Sequence, residues 1–196
     1  LGTQLQCARC HDHPYEERTQ RDFYRMAGFL VRLSVQEKKE GKEKLWRIEE
    51  KSSGEVLFTE EVKEEERGQK GTPVKPKFLD GEELDEPDLP EDFEEPDYKK
   101  LKGTWPKPVF SRKAKLAKWL TSANNPFFTK AIVNRVWSQF MGRGLVHPVD
   151  DLNPENEASH PALLEALTKW FVEQKYDLRT LIREIVLSEA YSLDSS

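Results

Sequence analysis

Apolar residues recur with helical spacing throughout the C-terminal part of the chain. The last predicted helix follows Asp177 as its N-cap and repeats apolar residues at i, i+3, i+4, i+7 and i+8. Three earlier helices are predicted to begin after Ser111, Asn125 and Ser159, residue types that cap helix N-termini. Residues 111–196 are therefore expected to form a small α-helical domain.

Each predicted helix gathers its apolar residues on one face, and these faces are expected to form the domain core. The helix after Asn125 is expected to end at Gly142 and to bury Phe128, Ile132, Val133, Val136, Trp137 and Phe140. The helix after Ser159 is expected to bury Leu163, Leu167, Trp170 and Phe171.

Shorter patterns in the middle of the chain predict strands. Leu45–Ile48 and Glu55–Thr59 carry apolar or alternating residues, and the turn-forming segment Lys51–Gly54 lies between them. These features predict a β-hairpin. Residues 36–44 carry mixed charges and are predicted to be a solvated connection. Residues 72–79 contain two prolines and are predicted to be extended.

Charge is distributed unevenly along the chain. The formal net charge is −5, yet the run from Asp80 to Asp97 alone holds 11 acidic residues and neither lysine nor arginine. Like charges and three prolines favour a solvated linker, predicted over residues 80–110. Elsewhere lysines and arginines are mixed with glutamates rather than gathered with aromatics, which argues against nucleic-acid binding. The longest apolar run, Ala27–Val31, is too short to span a membrane.

Candidate chemistry lies near the N-terminus, where the only two cysteines stand in the pattern Cys7-Ala8-Arg9-Cys10-His11. C-x-x-C-H is the attachment pattern of c-type haem. Cysteines at i and i+3 of a helical turn share one face, so both can bond the two vinyl carbons of one porphyrin. The imidazole of His11 would then be the proximal ligand of the iron. The sequence thus predicts covalent haem c on Cys7, Cys10 and His11.

Other interpretations of the same residues remain open. Cys7 and Cys10 with His11 or His13 could bind zinc, although no second Cys/His pair completes a finger. The two cysteines could form a local disulfide or a redox pair, but no βαβ pattern surrounds them. They could also be two buried cysteines with a fortuitous spacing.

A c-type haem needs a sixth ligand only in some proteins, and several residues are candidates here. Met26 lies on the apolar face of a helix predicted from about Gln20 to Arg32, where a core role is favoured. His160, in the first turn of a C-terminal helix, is a further possible distal ligand. Met141 and His147 are weaker candidates.

Three polar residues of the C-terminal domain form a second candidate site. Arg135 lies at the border of an apolar helix face, and Asp150 and Asp151 follow in the next loop. An ion pair between the arginine and these carboxylates is predicted to fix the loop to the helix. Together with Trp137, they are also candidates for lining a cleft that binds a polymeric substrate such as a polysaccharide.

Several segments of the chain resemble a known pair of domains. The N-terminal part is similar to the end of a cytochrome-c-associated domain of unknown function from large exported planctomycete proteins, and later segments are similar to its usual partner domain. The N-terminal resemblance lies in Leu1–Pro14 and Thr19–Tyr24. The resemblance to the partner domain lies in Leu116–Thr121, Asn125–Phe128, Asn134–Trp137, Gly142–Val146, Pro148–Asp151 and Ser159–Leu164, and Pro76–Leu79 resembles the segment that joins the two.

The resemblance implies export to the periplasm or cell surface and a haem c on Cys7, Cys10 and His11, without an established reaction. The expected protein is mainly α-helical. Residues 1–35 would be the end of a cytochrome-c-like domain, 36–79 a β-hairpin and extended connection, 80–110 the linker and 111–196 the helical domain.

The expected function is electron transfer, or the redox part of a larger secreted protein, with an unidentified redox partner. The alternative is a non-haem structural or interaction module. The chain begins at Leu1 without a leader pattern, so it is expected to be a fragment that acts with an upstream part of the same protein.

Overall fold

The computed structural model of the protein describes residues 1–40, 43–60, 64–66, 68–79, 81–101 and 103–193. By its internal contacts the chain divides into two compact units, Gln6–Lys118 and Leu1–Leu5 with Trp119–Ser196. The sequence placed boundaries at residues 36, 80 and 111 instead. The described residues form six α-helices and two small antiparallel sheets, with 34% of residues helical and 11% in strands. None of the described helices is long and apolar enough to cross a membrane.

The unit Gln6–Lys118 contains a short 3-10 helix at Cys7–Arg9, helix α1 and both sheets. Helix α1 spans Gln20–Ala27, strands β1 and β2 span Leu33–Glu40 and Glu43–Glu50, and β3 and β4 span Leu57–Phe58 and Thr72–Pro73. A second 3-10 turn covers Glu64–Glu66. Helix α2, Arg112–Leu120, begins in this unit.

Helix α1 begins with a reciprocal cap and ends earlier than predicted. The Thr19 hydroxyl accepts a hydrogen bond from the Asp22 backbone N–H, and the Asp22 carboxylate accepts one from the Thr19 N–H. The helix ends at Ala27 rather than at Arg32. A Cβ added to Gly28 would lie 3.1 Å from Cγ of Pro76, so the chain turns where it packs closely on the extended segment.

The predicted hairpin has the wrong strand partners. Strand β1 pairs with β2 along its whole length, from Leu33 opposite Glu50 to Glu40 opposite Glu43, whereas β3 pairs with β4. Residues 36–40 and 43–44 are therefore paired strand rather than a solvated connection. The alternation was obscured because both faces of this hairpin carry exposed residues. Val35 and Trp46 on one face are 62% and 66% exposed, and Leu45 on the other face is 40% exposed.

Two arginines and two glutamates form a largely buried ion cluster in the same unit. Arg32 and Arg112 are 4% and 2% exposed, and both bind Glu55 and Glu86. Because Glu86 belongs to the acidic run and its neighbour Leu84 is only 6% exposed, the run is packed at this point. The prediction of a solvated linker is therefore wrong at this point. Glu86 is held by ion pairs with Arg32 and Arg112, which lie far from it in the sequence.

The second unit contains helices α3 (Phe128–Met141), α4 (Pro161–Glu173), α5 (Leu178–Val186) and α6 (Glu189–Ser192). The extended N-terminal residues belong to this unit, and the Leu152 N–H donates to the Gly2 carbonyl at 2.6 Å. Its core consists of side chains from the helices and from the loop after α3: Val133, Leu145, Val146, Leu164, Phe171, Leu181 and Ile185.

Two of the four predicted caps are confirmed: the side chains of Ser111 and Asp177 accept backbone N–H groups in the first turns of α2 and α5. Asn125 accepts the N–H groups of Phe127 and Phe128, but the N-cap position of α3 is Phe127. Ser159 does not cap α4. Its hydroxyl donates instead to the Leu145 carbonyl at 3.1 Å, and the N-cap position is His160.

The predicted buried face of α4 is wrong by one residue at its start. Leu163 is 37% exposed, whereas Leu164 is 1% exposed and packs in the core with Phe171. Because the helix begins at Pro161, after His160, the inward face follows 164, 167 and 171. The termination of α3 is as predicted: Gly142 adopts φ +76°, a left-handed conformation that favours glycine.

Candidate functional site

The C-x-x-C-H segment forms one tight turn. Cys7–Arg9 is a 3-10 helix, the Cys10 N–H donates to the Cys7 carbonyl at 3.2 Å, and the His11 N–H reaches the same oxygen at 3.5 Å. Neither cysteine forms a disulfide; Cys7 is exposed and Cys10 is half-buried. Ala8 between them is fully buried and anchors the turn. The turn therefore presents two thiols and the following imidazole from one short segment.

The orientation of His11 is set by a neighbouring carbonyl. Its Nδ1 lies 2.7 Å from the backbone oxygen of Asp12. A carbonyl oxygen can only accept a hydrogen bond, so Nδ1 carries the proton in the neutral ring. Nε2 then holds the free lone pair, which is the form that binds a metal. The exposed ring of His11 thus presents an unprotonated Nε2.

Hydrogen bonds to α1 hold the turn in place. The Asp12 carboxylate accepts the Gln20 backbone N–H at 2.7 Å, and the Gln20 side-chain amide donates to the Arg9 carbonyl at 3.0 Å. The Tyr24 hydroxyl donates to that carbonyl at 3.3 Å. Asp12 therefore orients His11 through its backbone while its side chain binds the first residue of α1.

The ionised carboxylate of Asp22 stabilises the N-terminus of α1. Partial burial acts to raise the pKa of Asp22, but hydrogen bonds from Thr19 and from Lys77 outweigh it and hold that pKa below its usual value. The ionised carboxylate is the form that caps the helix. The element that supports the C-x-x-C-H turn is therefore capped at neutral pH.

His13 is used differently from His11. Its Nδ1 accepts backbone N–H groups from Tyr15 at 3.3 Å and from Glu16 at 3.0 Å. Because Nδ1 is the acceptor, the proton of the neutral ring lies on Nε2, and the free lone pair is already occupied. His13 therefore stabilises the turn around Pro14.

The residue types of the turn are those that haem c requires. Two thiols on one turn and an imidazole with an unprotonated Nε2 correspond in kind to two thioether anchors and one axial ligand. Zinc needs a closed set of three or four ligands. Within the described residues no three His, Cys, Asp or Glu side chains are grouped closely enough to hold a metal ion.

The candidate distal ligands lie in different parts of the chain. Met26 is half-buried on α1, in the same compact unit as Cys7, Cys10 and His11. His160 is exposed in the helical unit, with its Nδ1 3.2 Å from the Ser159 hydroxyl. Met141 and His147 also belong to the helical unit. The assignment of a sixth ligand stays a prediction.

The second candidate site is not assembled as predicted. Arg135 and Asp150 are exposed, and no salt bridge among the described residues joins Arg135 to either aspartate. The Asp151 carboxylate accepts from the Asn153 side chain at 2.7 Å instead. The loop is fixed by Asn134, whose side chain binds both the N–H and the carbonyl of Val146 at 2.9 Å. A buried amide therefore replaces the predicted ion pair, because it satisfies both backbone groups within the core.

A groove in the helical unit was missed by the sequence. It has a volume of about 950 Å³ and follows one side of α4, the start of α3 and residues 152–158. Arg135, Trp137, Asp150 and Asp151 do not line it. The only signal for the groove in the sequence was a row of charged residues four positions apart, Glu165, Lys169 and Glu173. Such a row is also typical of the solvent-exposed face of any helix.

Comparison with protein families identifies both ends of the chain. Residues 1–35 match the family described as PSCyt2, a protein of unknown function (DUF1549), and residues 112–196 match PSD1, a protein of unknown function (DUF1553). These are the planctomycete cytochrome-c-associated domain and its usual partner domain, so the resemblance is confirmed. Such domains occur within larger proteins. Comparisons with curated proteins and with solved structures found no match.

Proposed function

We propose that the C-x-x-C-H turn of this chain, whose two ends match DUF1549 and DUF1553, binds haem c covalently in an exported protein. Its role would be electron transfer, or the redox part of a larger secreted protein, with a redox partner still to be identified.

The observation that supports the proposal most is the state of His11. The contact of Nδ1 with the Asp12 carbonyl leaves Nε2 unprotonated on an exposed ring, directly after two cysteines that share one turn and form no disulfide. A cysteine pair that served only as core residues would not need an exposed Cys7 or an oriented, exposed imidazole.

Each residue of the turn has a distinct part in this proposal. The Cys7 and Cys10 sulfurs would form the thioether bonds, and Nε2 of His11 would be the proximal ligand of the iron. The Asp12 carbonyl would keep the proton on Nδ1 and fix the ring plane. When bound, the haem supplies one-electron redox chemistry.

The test is the intact mass and absorbance of the denatured protein, produced in a host with a working haem-c maturation system. We expect one haem to stay attached after denaturation. Cys7→Ala with Cys10→Ala should remove it completely, and His11→Ala should remove or strongly reduce it. His13→Ala is the matched control, because it changes a neighbouring histidine whose Nδ1 is engaged by backbone N–H groups, and it should retain the haem.

The contrary result is the mass of the bare polypeptide under conditions in which a reference cytochrome matures. In that case the haem proposal is wrong. Metal analysis would then decide whether Cys7 and Cys10 bind stoichiometric zinc, and mass after thiol alkylation would decide whether they form a disulfide. Either outcome would support the non-haem module.

A further inference from the structure

We propose that the groove along α4 binds an extended polypeptide segment with alternating basic, acidic and basic side chains. This inference concerns the helical unit alone and does not depend on haem binding. The groove is lined from Pro161 to Glu173 on α4, a length of about 18 Å at 1.5 Å rise per residue. An extended peptide of about five or six residues, at about 3.3 Å per residue, covers that distance.

Charges repeat along the α4 side of the groove. Glu165, Lys169 and Glu173 all line it, and successive members are four residues apart, or about 6 Å along the helix axis. In an extended peptide, side chains on one face repeat every two residues, or about 6.6 Å. A segment with a basic, an acidic and a basic residue at i, i+2 and i+4 therefore matches this row in both spacing and sign.

The charges of the groove are available for a partner. Lys130 and Glu157 line it as well, giving three carboxylates and two ammonium groups. All five side chains belong to exposed residues, and in the described part of the chain none of them is engaged in a salt bridge. A surplus of carboxylates disfavours nucleic acids and other polyanions.

The composition of the lining disfavours sugars and nucleobases. The groove has apolar floor residues, including Val146, Leu152, Leu164 and Val172, but no aromatic side chain lines it among the described residues. Bases stack on aromatic rings in single-stranded nucleic-acid sites, and no such platform is present. Aliphatic contacts with flanking charges are instead suited to a polypeptide.

The experiment uses the full chain with methyl-labelled Val and Leu and two short peptides, acetyl-Lys-Val-Glu-Val-Lys-amide and its charge reversal, acetyl-Glu-Val-Lys-Val-Glu-amide. The first peptide should shift the methyl resonances of Val146, Leu164 and Val172 and bind at least tenfold more tightly than the second. Glu165→Lys with Lys169→Glu and Glu173→Lys should invert this preference.

A matched control makes the result specific to the groove. Glu184→Lys changes the net charge by the same amount as the triple groove variant, but at an exposed position of α5 outside the groove. This control should leave the peptide preference unchanged.

Two results would overturn the proposal. If both peptides bind equally, or the control changes the preference as much as the groove variant, the charge row does not select the partner. If neither peptide shifts the groove methyls at millimolar concentration, the groove does not bind an extended peptide of this pattern.

Discussion

Arg112 binds Glu86 through two nitrogens, with Nε at 2.8 Å and Nη2 at 2.6 Å from the same carboxylate oxygen. The arginine begins α2, and the glutamate lies in the acidic run 26 residues earlier. The other oxygen of Glu86 accepts from Arg32 at 2.5 Å. One carboxylate thus neutralises parts of two guanidinium groups that are almost fully buried.

Replacing Glu86 by alanine should destabilise the unit Gln6–Lys118. Breaking a buried ion pair typically costs 3–5 kcal/mol, and we expect about 3 kcal/mol because Glu55 still binds both arginines. The measurement is urea unfolding of the full chain. Asp88→Ala removes an exposed acidic residue of the same run and should change the free energy of unfolding by less than about 0.5 kcal/mol. Equal effects of the two substitutions would mean that the cluster contributes nothing specific.

Replacing Asn134 by leucine should loosen the loop after α3. The substitution leaves the N–H and the carbonyl of Val146 buried without their side-chain partner, at a cost of about 1–3 kcal/mol for each unsatisfied group. We expect amide hydrogen exchange of Val146 to become about a hundredfold faster, because each 1.4 kcal/mol is a factor of ten. Asn124→Leu, at an exposed position, should leave that rate unchanged. Unchanged exchange in Asn134→Leu would contradict the assigned role of this amide.

The cap of α5 should make the helical unit sensitive to acid. Hydrogen bonds from the Thr180 hydroxyl and from the backbone N–H groups of Thr180 and Arg179 hold the pKa of Asp177 below its usual value. A carboxyl whose folded pKa is lowered contributes stability above its unfolded pKa of about 3.9 and loses it as the pH falls through the folded pKa. Asp177→Asn should therefore flatten the pH dependence of the melting temperature below about pH 4. A wild-type profile retained by this variant would assign the acid sensitivity to other carboxyl groups.

Local patterns predicted the helices of this protein well, and for a physical reason. A helix buries residues three and four positions apart, and its caps lie within the same few residues, so Asn125, Asp177 and Gly142 could be interpreted without knowledge of the rest of the chain. The error at α4 was equally local: Ser159 and His160 are adjacent, and the serine donates to a loop carbonyl instead.

Pairings between distant residues could not be predicted. Strand β1 has charged residues on an exposed hairpin, so no apolar alternation marked its pairing with β2. The cluster of Arg32, Glu86 and Arg112 joins residues 26 to 80 positions apart, and a single sequence contains no signal for such contacts. The groove was missed for the same reason, because several separate segments line it.

The site itself was predictable only in part. The spacing of Cys7, Cys10 and His11 indicated the candidate ligands, since both cysteines must share one turn with the histidine after it. The spacing did not indicate that the neutral rings of His11 and His13 carry their protons on different nitrogens. That difference depends on which backbone groups each Nδ1 meets, a carbonyl for His11 and two N–H groups for His13.

The two neighbouring histidines should therefore have opposite neutral tautomers in the haem-free chain. In the neutral form of each ring we expect His11 to carry its proton on Nδ1 and His13 on Nε2. A backbone carbonyl can only accept a hydrogen bond from Nδ1 of His11, whereas a backbone N–H needs a lone pair on Nδ1 of His13. Nitrogen-15 chemical shifts of the labelled rings, correlated with the ring protons, measure this directly. His11→Ala and His13→Ala assign the two sets of signals. An Nε2-protonated His11 would mean that the Asp12 carbonyl does not orient the ring, and it would remove the main observation that supports His11 as the axial ligand.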